Sequence, residues 1–155
     1  MRSPGLLRGL AGRLGWEAPG LPVSVELQQS TTGGGITDVE VRWQNAHVIV
    51  EAKRGWTLPT PAQLRKYRPR LDGTVPGLLV AVGEGSEVWA RSGSRLPGDV
   101  DGVPVSYVSW EDIIGLARAA ARSAKHHAEQ RLLRELIAYL RGAVRVQDRA
   151  TRRTA

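Results

Sequence analysis

Glu51 and Lys53 stand one residue apart at the end of an apolar run, "VIVEAK" at 48–53. Side chains alternate along a strand, so the two charges share a face. Ala52 turns the other way and offers only its carbonyl beside them. A carboxylate or an ammonium on a buried strand is costly unless it is paired or binds a metal. Asp38 opens the preceding segment in a D-x-E context with Glu40, and 12 residues separate it from Glu51. If the two segments pair as a hairpin, Asp38 lies close to Glu51 and Lys53. Two carboxylates and a main-chain carbonyl form a hard oxygen site suited to Mg²⁺ or Mn²⁺. Lys53 would then face whatever anion the metal holds.

The elements that must position these residues can be read from periodicity and breakers. Residues 5–15 carry Leu6, Leu7, Leu10, Ala11 and Leu14 at helical spacing. "LPVSVELQQS" alternates as a strand, "TTGGG" turns, and "ITDVEVRW" is a second alternating strand. It puts Ile36, Asp38, Glu40 and Arg42 on one face and Thr37, Val39, Val41 and Trp43 on the other. "QNA" reads as a tight connection to the third strand, "HVIVEAKR". A helix then begins with Thr60 as N-cap, Pro61 at its first position and Gln63 at the third, and weakens at Pro69. "GLLVAVGEG" is apolar throughout, as expected of a central strand covered on both faces. "RSGSRLPGDVDG" reads as a loop and "VPVSYVS" as the last strand. Ser109 caps "WEDIIGLARAAARSA". A final helix over 128–142 carries a stripe of Leu132, Leu133, Leu136, Ile137 and Leu140, with Gly142 as its stop. The order is α-β-β-β-α-β-β-α-α, an α/β mixed sheet with helices on it. It is expected to form one domain over 1–142, followed by a basic, disordered tail over 143–155.

With its order of elements, this pattern resembles the PD-(D/E)XK nuclease superfamily. "TD" at 37–38 followed by "VIVEAK" matches its D…(D/E)-x-K signature, with Thr37 where the name-giving Pro would be. Gln63 and Tyr67 in "QLRKY" resemble the Q-x-x-x-Y element of the exonuclease-type branch. The resemblance covers about residues 5–120. It implies a restriction-endonuclease-like fold and metal-dependent hydrolysis of phosphodiesters. Asp38, Glu51 and the Ala52 carbonyl would hold one or two Mg²⁺ or Mn²⁺ ions, and Lys53 would position the attacking water or stabilise the transition state. Gln63 and Tyr67 would reach back to the site. The family's first-helix acid has no counterpart here, its nearest candidate being Glu17, and Glu26 on the first strand is the substitute.

Each of these residues also has a plainer role open to it. E-x-K pairs commonly mark a solvent face, Gln63 completes a capping box, and Tyr67 could pack on the sheet. Arg65, Lys66, Arg68 and Arg70 form either a phosphate track or a solvated face. His126 and His127 are adjacent on a helix and so cannot chelate together. Gly33, Gly34 and Gly35 have neither the Lys nor the helix that a phosphate loop needs.

Lys and Arg total 22 against 15 acids, a net charge of +7, which favours a polyanionic partner, nucleic acid and DNA first among them. The alternative function is an inactive nucleic-acid-binding or protein-interaction module that keeps the fold. No apolar run reaches the length of about 18 residues that a membrane span needs. With no Cys, disulfides and thiolate metal sites are excluded, and a cytoplasmic location is the default. The width of the last stripe suggests a homodimer or a partner protein on the C-terminal helix.

Overall fold

In the computed structural model the described residues are 3–15, 24–31, 35–71 and 73–153, with backbone alone for 28–31, 35–38 and 145–153. The elements run α1 (Pro4–Arg13), β1 (Ser24–Thr31), β2 (Gly35–Trp43), β3 (Ala46–Ala52), α2 (Pro61–Tyr67), β4 (Gly77–Gly83), α3 (Glu87–Arg91), β5 (Asp99–Val100), β6 (Val103–Ser109), α4 (Trp110–Ser123) and α5 (His127–Arg153). They fall into two units, Leu21–Ser109 around the sheet and the helical set Met1–Gly20 with Trp110–Ala155. Among the described residues no helix is long and apolar enough to cross a membrane.

The sheet has six strands in the order β1-β2-β3-β4-β6-β5. The first three form the expected antiparallel meander, β3, β4 and β6 run parallel, and β5 is antiparallel to β6. Trp43 faces Ala46 across a two-residue turn, which sets the whole β2–β3 register. That register puts Val41 against Val48 and Glu40 against Ile49. The continuous apolar run of β4 sits between parallel neighbours, and Leu78 to Val82 are all buried. Strands covered on both faces lose the polar alternation of half-exposed ones.

Helix α2 starts as its sequence dictates. The Thr60 hydroxyl accepts from the Gln63 N–H at 3.2 Å, and the Gln63 side chain accepts from the Thr60 N–H at 3.0 Å. Pro69 brings no N–H to the helical ladder, so the α-helix ends at Tyr67 and tightens into one 3-10 turn at Arg68–Arg70. Leu64 and Tyr67 of α2 pack with Ile49, Leu79, Ala81, Val105 and Tyr107 of the sheet and Ala90 of α3.

The region read as a loop over 91–102 holds the end of α3, a 3-10 turn at Ser92–Ser94 and β5. Helix α3 has five residues, too few for a periodic signal. Ser86 caps it by accepting from the Trp89 N–H at 3.1 Å, and the Arg91 guanidinium donates to the carbonyls of Pro97 and Val105. The third strand ends at Ala52, so Lys53 and Arg54 lie just past it.

In the helical unit, Ala117, Ala120 and Leu133 form a buried cluster with Leu6, Leu136 and Ile137 against it. A Cβ at Gly5 would sit 3.3 Å from Ala120 Cβ, so the small residues let α1 approach α4 closely. Leu133 and Leu140 of the α5 stripe are buried, while Leu132 and Tyr139 are exposed. The expected stop at Gly142 is a correction, because α5 continues to Arg153. A glycine inside a helix costs about 1 kcal/mol relative to Ala, and the good helix formers around it outweigh that.

Candidate functional site

Glu51 and Lys53 stand where β3 and β4 end side by side, with Ala52 opposite Val82. Ligands of open α/β sheets gather at the carboxyl ends of parallel strands. Glu51 is only 6% exposed and shares its face with Ile49 and the small Ala81 of β4. Both of its oxygens are engaged. Lys53 Nζ lies 2.7 Å from Oε1, and the Tyr67 hydroxyl donates to Oε2 at 2.9 Å. Lys53 is anchored in turn, its N–H bonded to the Val82 carbonyl at 2.8 Å. The Lys53 side chain keeps 26% of its surface exposed, so the buried carboxylate communicates with solvent through an ammonium. Charges on a core strand are thus paired and hydrogen-bonded, as burial requires.

Asp38 belongs to β2, and its side chain lies outside the described residues. Val39 faces Val50, and continuing that register by one residue brings Asp38 to the position opposite Glu51. Glu26 faces Glu40 on β1, level with Ile49 on the far side of β2. Strand spacing and rise put its Cα about 12 Å from that of Glu51. Glu17, the first-helix candidate, lies outside the described residues. Tyr67 meets Glu51 directly. Gln63 instead faces Thr60, in the capping box, which accounts for its carbonyl oxygen.

The basic residues divide. Arg65 and Lys66 are exposed; Arg68 is also exposed and donates to the Asp101 carbonyl at 3.0 Å. The Arg70 side chain is buried to 7% exposure and its Nε contacts Glu40 Oε1. Glu40, itself 1% exposed, also meets His47 Nε2 at 3.2 Å and Arg42 at 3.6 Å. Glu40 is therefore the centre of a second buried polar cluster, one residue row from Glu51 on the same face. Arg70 is committed to that cluster rather than to the surface.

Sequence reasoning missed His47 and Glu84. Glu84 follows β4; it accepts from the Gly55 N–H at 2.9 Å and lies 3.7 Å from Arg54 Nε, tying the loop after Lys53 to the end of β4. An acid closing a wholly apolar strand was the available signal. For His47 the signal was strand alternation, which puts it on the same face of β3 as Ile49 and Glu51.

Among the described residues no group of three His, Cys, Asp or Glu side chains could hold a metal ion. Glu51 with the Ala52 carbonyl, and Asp38 at the facing register position, fit a hard divalent cation in donor type. Lys53 is the group that would share Glu51 with it.

No protein family matches the chain, and no curated protein does. Among solved structures it is similar to the MspJI restriction endonuclease in complex with a 27-mer oligonucleotide, at 14% identity and a TM-score of 0.42. That likeness covers 90% of this chain and 31% of the other.

Proposed function

We propose that the chain is a PD-(D/E)XK-type nuclease that hydrolyses phosphodiester bonds in nucleic acid, DNA first, with Mg²⁺ or Mn²⁺. The observation that carries this reading is the buried Glu51, held by Lys53 at 2.7 Å and Tyr67 at 2.9 Å where two parallel strands end. Asp38, Glu51 and the Ala52 carbonyl are the residues that would hold the metal. A divalent ion held there would supply a bound water of lowered pKa and offset charge on the phosphate. Tyr67 fixes the Glu51 carboxylate in one orientation. Lys53 presents a cation beside that carboxylate, at the solvent side, where a phosphate oxygen or the attacking water would be held. Arg65, Lys66 and Arg68 supply exposed positive charge for the backbone of the substrate.

One observation favours a second reading. Lys53 and Tyr67 between them pair with both oxygens of Glu51, as they would in a non-catalytic nucleic-acid-binding module. The separating experiment incubates the protein with labelled duplex, single-stranded and branched substrates, in Mg²⁺ and in EDTA. Mg²⁺-dependent cleavage of one of them supports the nuclease, and binding without cleavage of any supports the module.

A further inference from the structure

Beyond the end of β3 the chain carries an exposed aromatic ring that the hydrolytic site does not use. Trp56, three residues past Lys53, is 51% exposed. Its ring meets Trp89 edge-on, with centroids 5.0 Å apart and planes at 84°. Trp89 is itself wedged. A Cβ at Gly85 would fall 2.2 Å from Trp89 Cε3, so the ring lies directly on the Gly85 backbone. The Arg95 guanidinium sits 5.5 Å from the Trp89 centroid. The loop itself is clamped, because the Gly55 N–H donates to the buried Glu84 carboxylate. Gly55 takes φ +69°, which only glycine adopts without strain. Trp56 is thus a large aromatic surface held in place, half open to water, with Lys53 and the half-exposed Arg54 before it in the chain.

A fixed ring with cations a few residues away in the chain is what proteins offer to unpaired bases. Stacking on an aromatic face needs no particular base, while nearby cations hold the backbone. A base inside a duplex is already stacked on both sides and cannot present its face.

We propose that Trp56, braced by Trp89, stacks an unpaired base of a single strand whose backbone passes Lys53. The substrate class is therefore single-stranded nucleic acid, or a duplex locally opened at the site. This rests on the phosphodiesterase reading for its location next to Lys53, and its test does not depend on cleavage.

The test measures binding in EDTA by fluorescence anisotropy, using labelled oligodeoxythymidylate, an abasic strand of the same length and a blunt duplex. Trp56→Ala should weaken binding to oligodeoxythymidylate by about 5- to 150-fold, the loss expected for one stacked base. The abasic strand and the duplex should be bound as before, and Trp56→Phe should restore most of the lost affinity. Unchanged affinity for oligodeoxythymidylate in Trp56→Ala overturns the proposal. So does an equal loss on all three ligands, or a wild-type protein that binds none of them. If Mg²⁺ brings no cleavage but the Trp56 effect stands, the nuclease reading falls and the stacking site survives. Cleavage with no Trp56 effect keeps the nuclease and removes the stacking site.

Discussion

Removing a single oxygen atom probes the arrangement on which the candidate site depends. In Tyr67→Phe the ring keeps its place among Ile49, Leu64 and Leu79, so no cavity opens. The loss is the hydroxyl that donates to Glu51 Oε2 at 2.9 Å. Glu51 is almost wholly buried, so water cannot readily replace that donor. Hydrogen bonds to charged groups contribute about 1.5–3 kcal/mol, and leaving the carboxylate oxygen unsatisfied puts the substitution in that range. Lys53 still holds Oε1, which keeps the cost below that of removing the cation. Urea unfolding reads this as a lower midpoint at unchanged m-value. In a Glu51→Ala background the same Tyr67→Phe change should cost less by about the same 1.5–3 kcal/mol, because the acceptor is gone. Equal costs in the two backgrounds, or a cost below about 0.5 kcal/mol in the native chain, would refute the buried Tyr67–Glu51 bond.

Arg70→Ala should destabilise the fold by about 3–5 kcal/mol, since it leaves Glu40 short of a buried cation, and calorimetry or urea unfolding checks it. Replacing Arg65, Lys66 and Arg68 together with Ala should leave stability nearly unchanged. In that variant log K against log salt should lose up to about 0.9 of slope for each phosphate contact removed, and an unchanged slope takes that helix out of the interface. Asp38→Asn removes a carboxylate at the register position opposite Glu51. It should abolish cleavage while stabilising the metal-free protein by on the order of 1 kcal/mol, and Mg²⁺ should then raise the melting temperature of the native chain more than that of the variant. Leu132 and Tyr139, exposed and seven residues apart on α5, predict self-association in sedimentation at high concentration. It should be lost in Leu132→Lys with Tyr139→Lys, and a strict monomer removes that role from the pair.

Much of the site's frame was legible because it is local. The two-residue turn between Trp43 and Ala46 fixes which residue faces Glu51, and the alternation of β2 is plain in its sequence. The Thr60–Gln63 capping box also reads directly, and it shows why Gln63 belongs to the helix start. Tyr67 meets Glu51 across a contact no periodicity could supply. Arg70 was misjudged for a geometric reason. In a 3-10 turn, residues i and i+3 eclipse, so the tightening at Pro69 puts Arg70 on the inward side with Tyr67. Helix α3 and β5 were hidden by brevity and by the Gly-, Ser- and Pro-rich composition around them; bonds from Arg91 tie α3 to β6, and pairing with β6 holds β5. Gly142 failed as a stop because a glycine ends a helix only where the backbone turns left-handed, and here it does not.

In the proposed nuclease the negative charge of Glu51 does chemistry beyond structure. Glu51→Gln nearly preserves the shape and still lets Tyr67 donate to the side chain, but it removes the charge that a divalent ion needs. The direct measurement is the initial rate of Mg²⁺-dependent cleavage by this variant, on whichever substrate the native chain cuts, with its fold checked by circular dichroism. A folded variant that cleaves only at background is the expected result. Cleavage by a folded Glu51→Gln at the native rate would contradict it and leave the Glu51–Lys53–Tyr67 cluster a structural one.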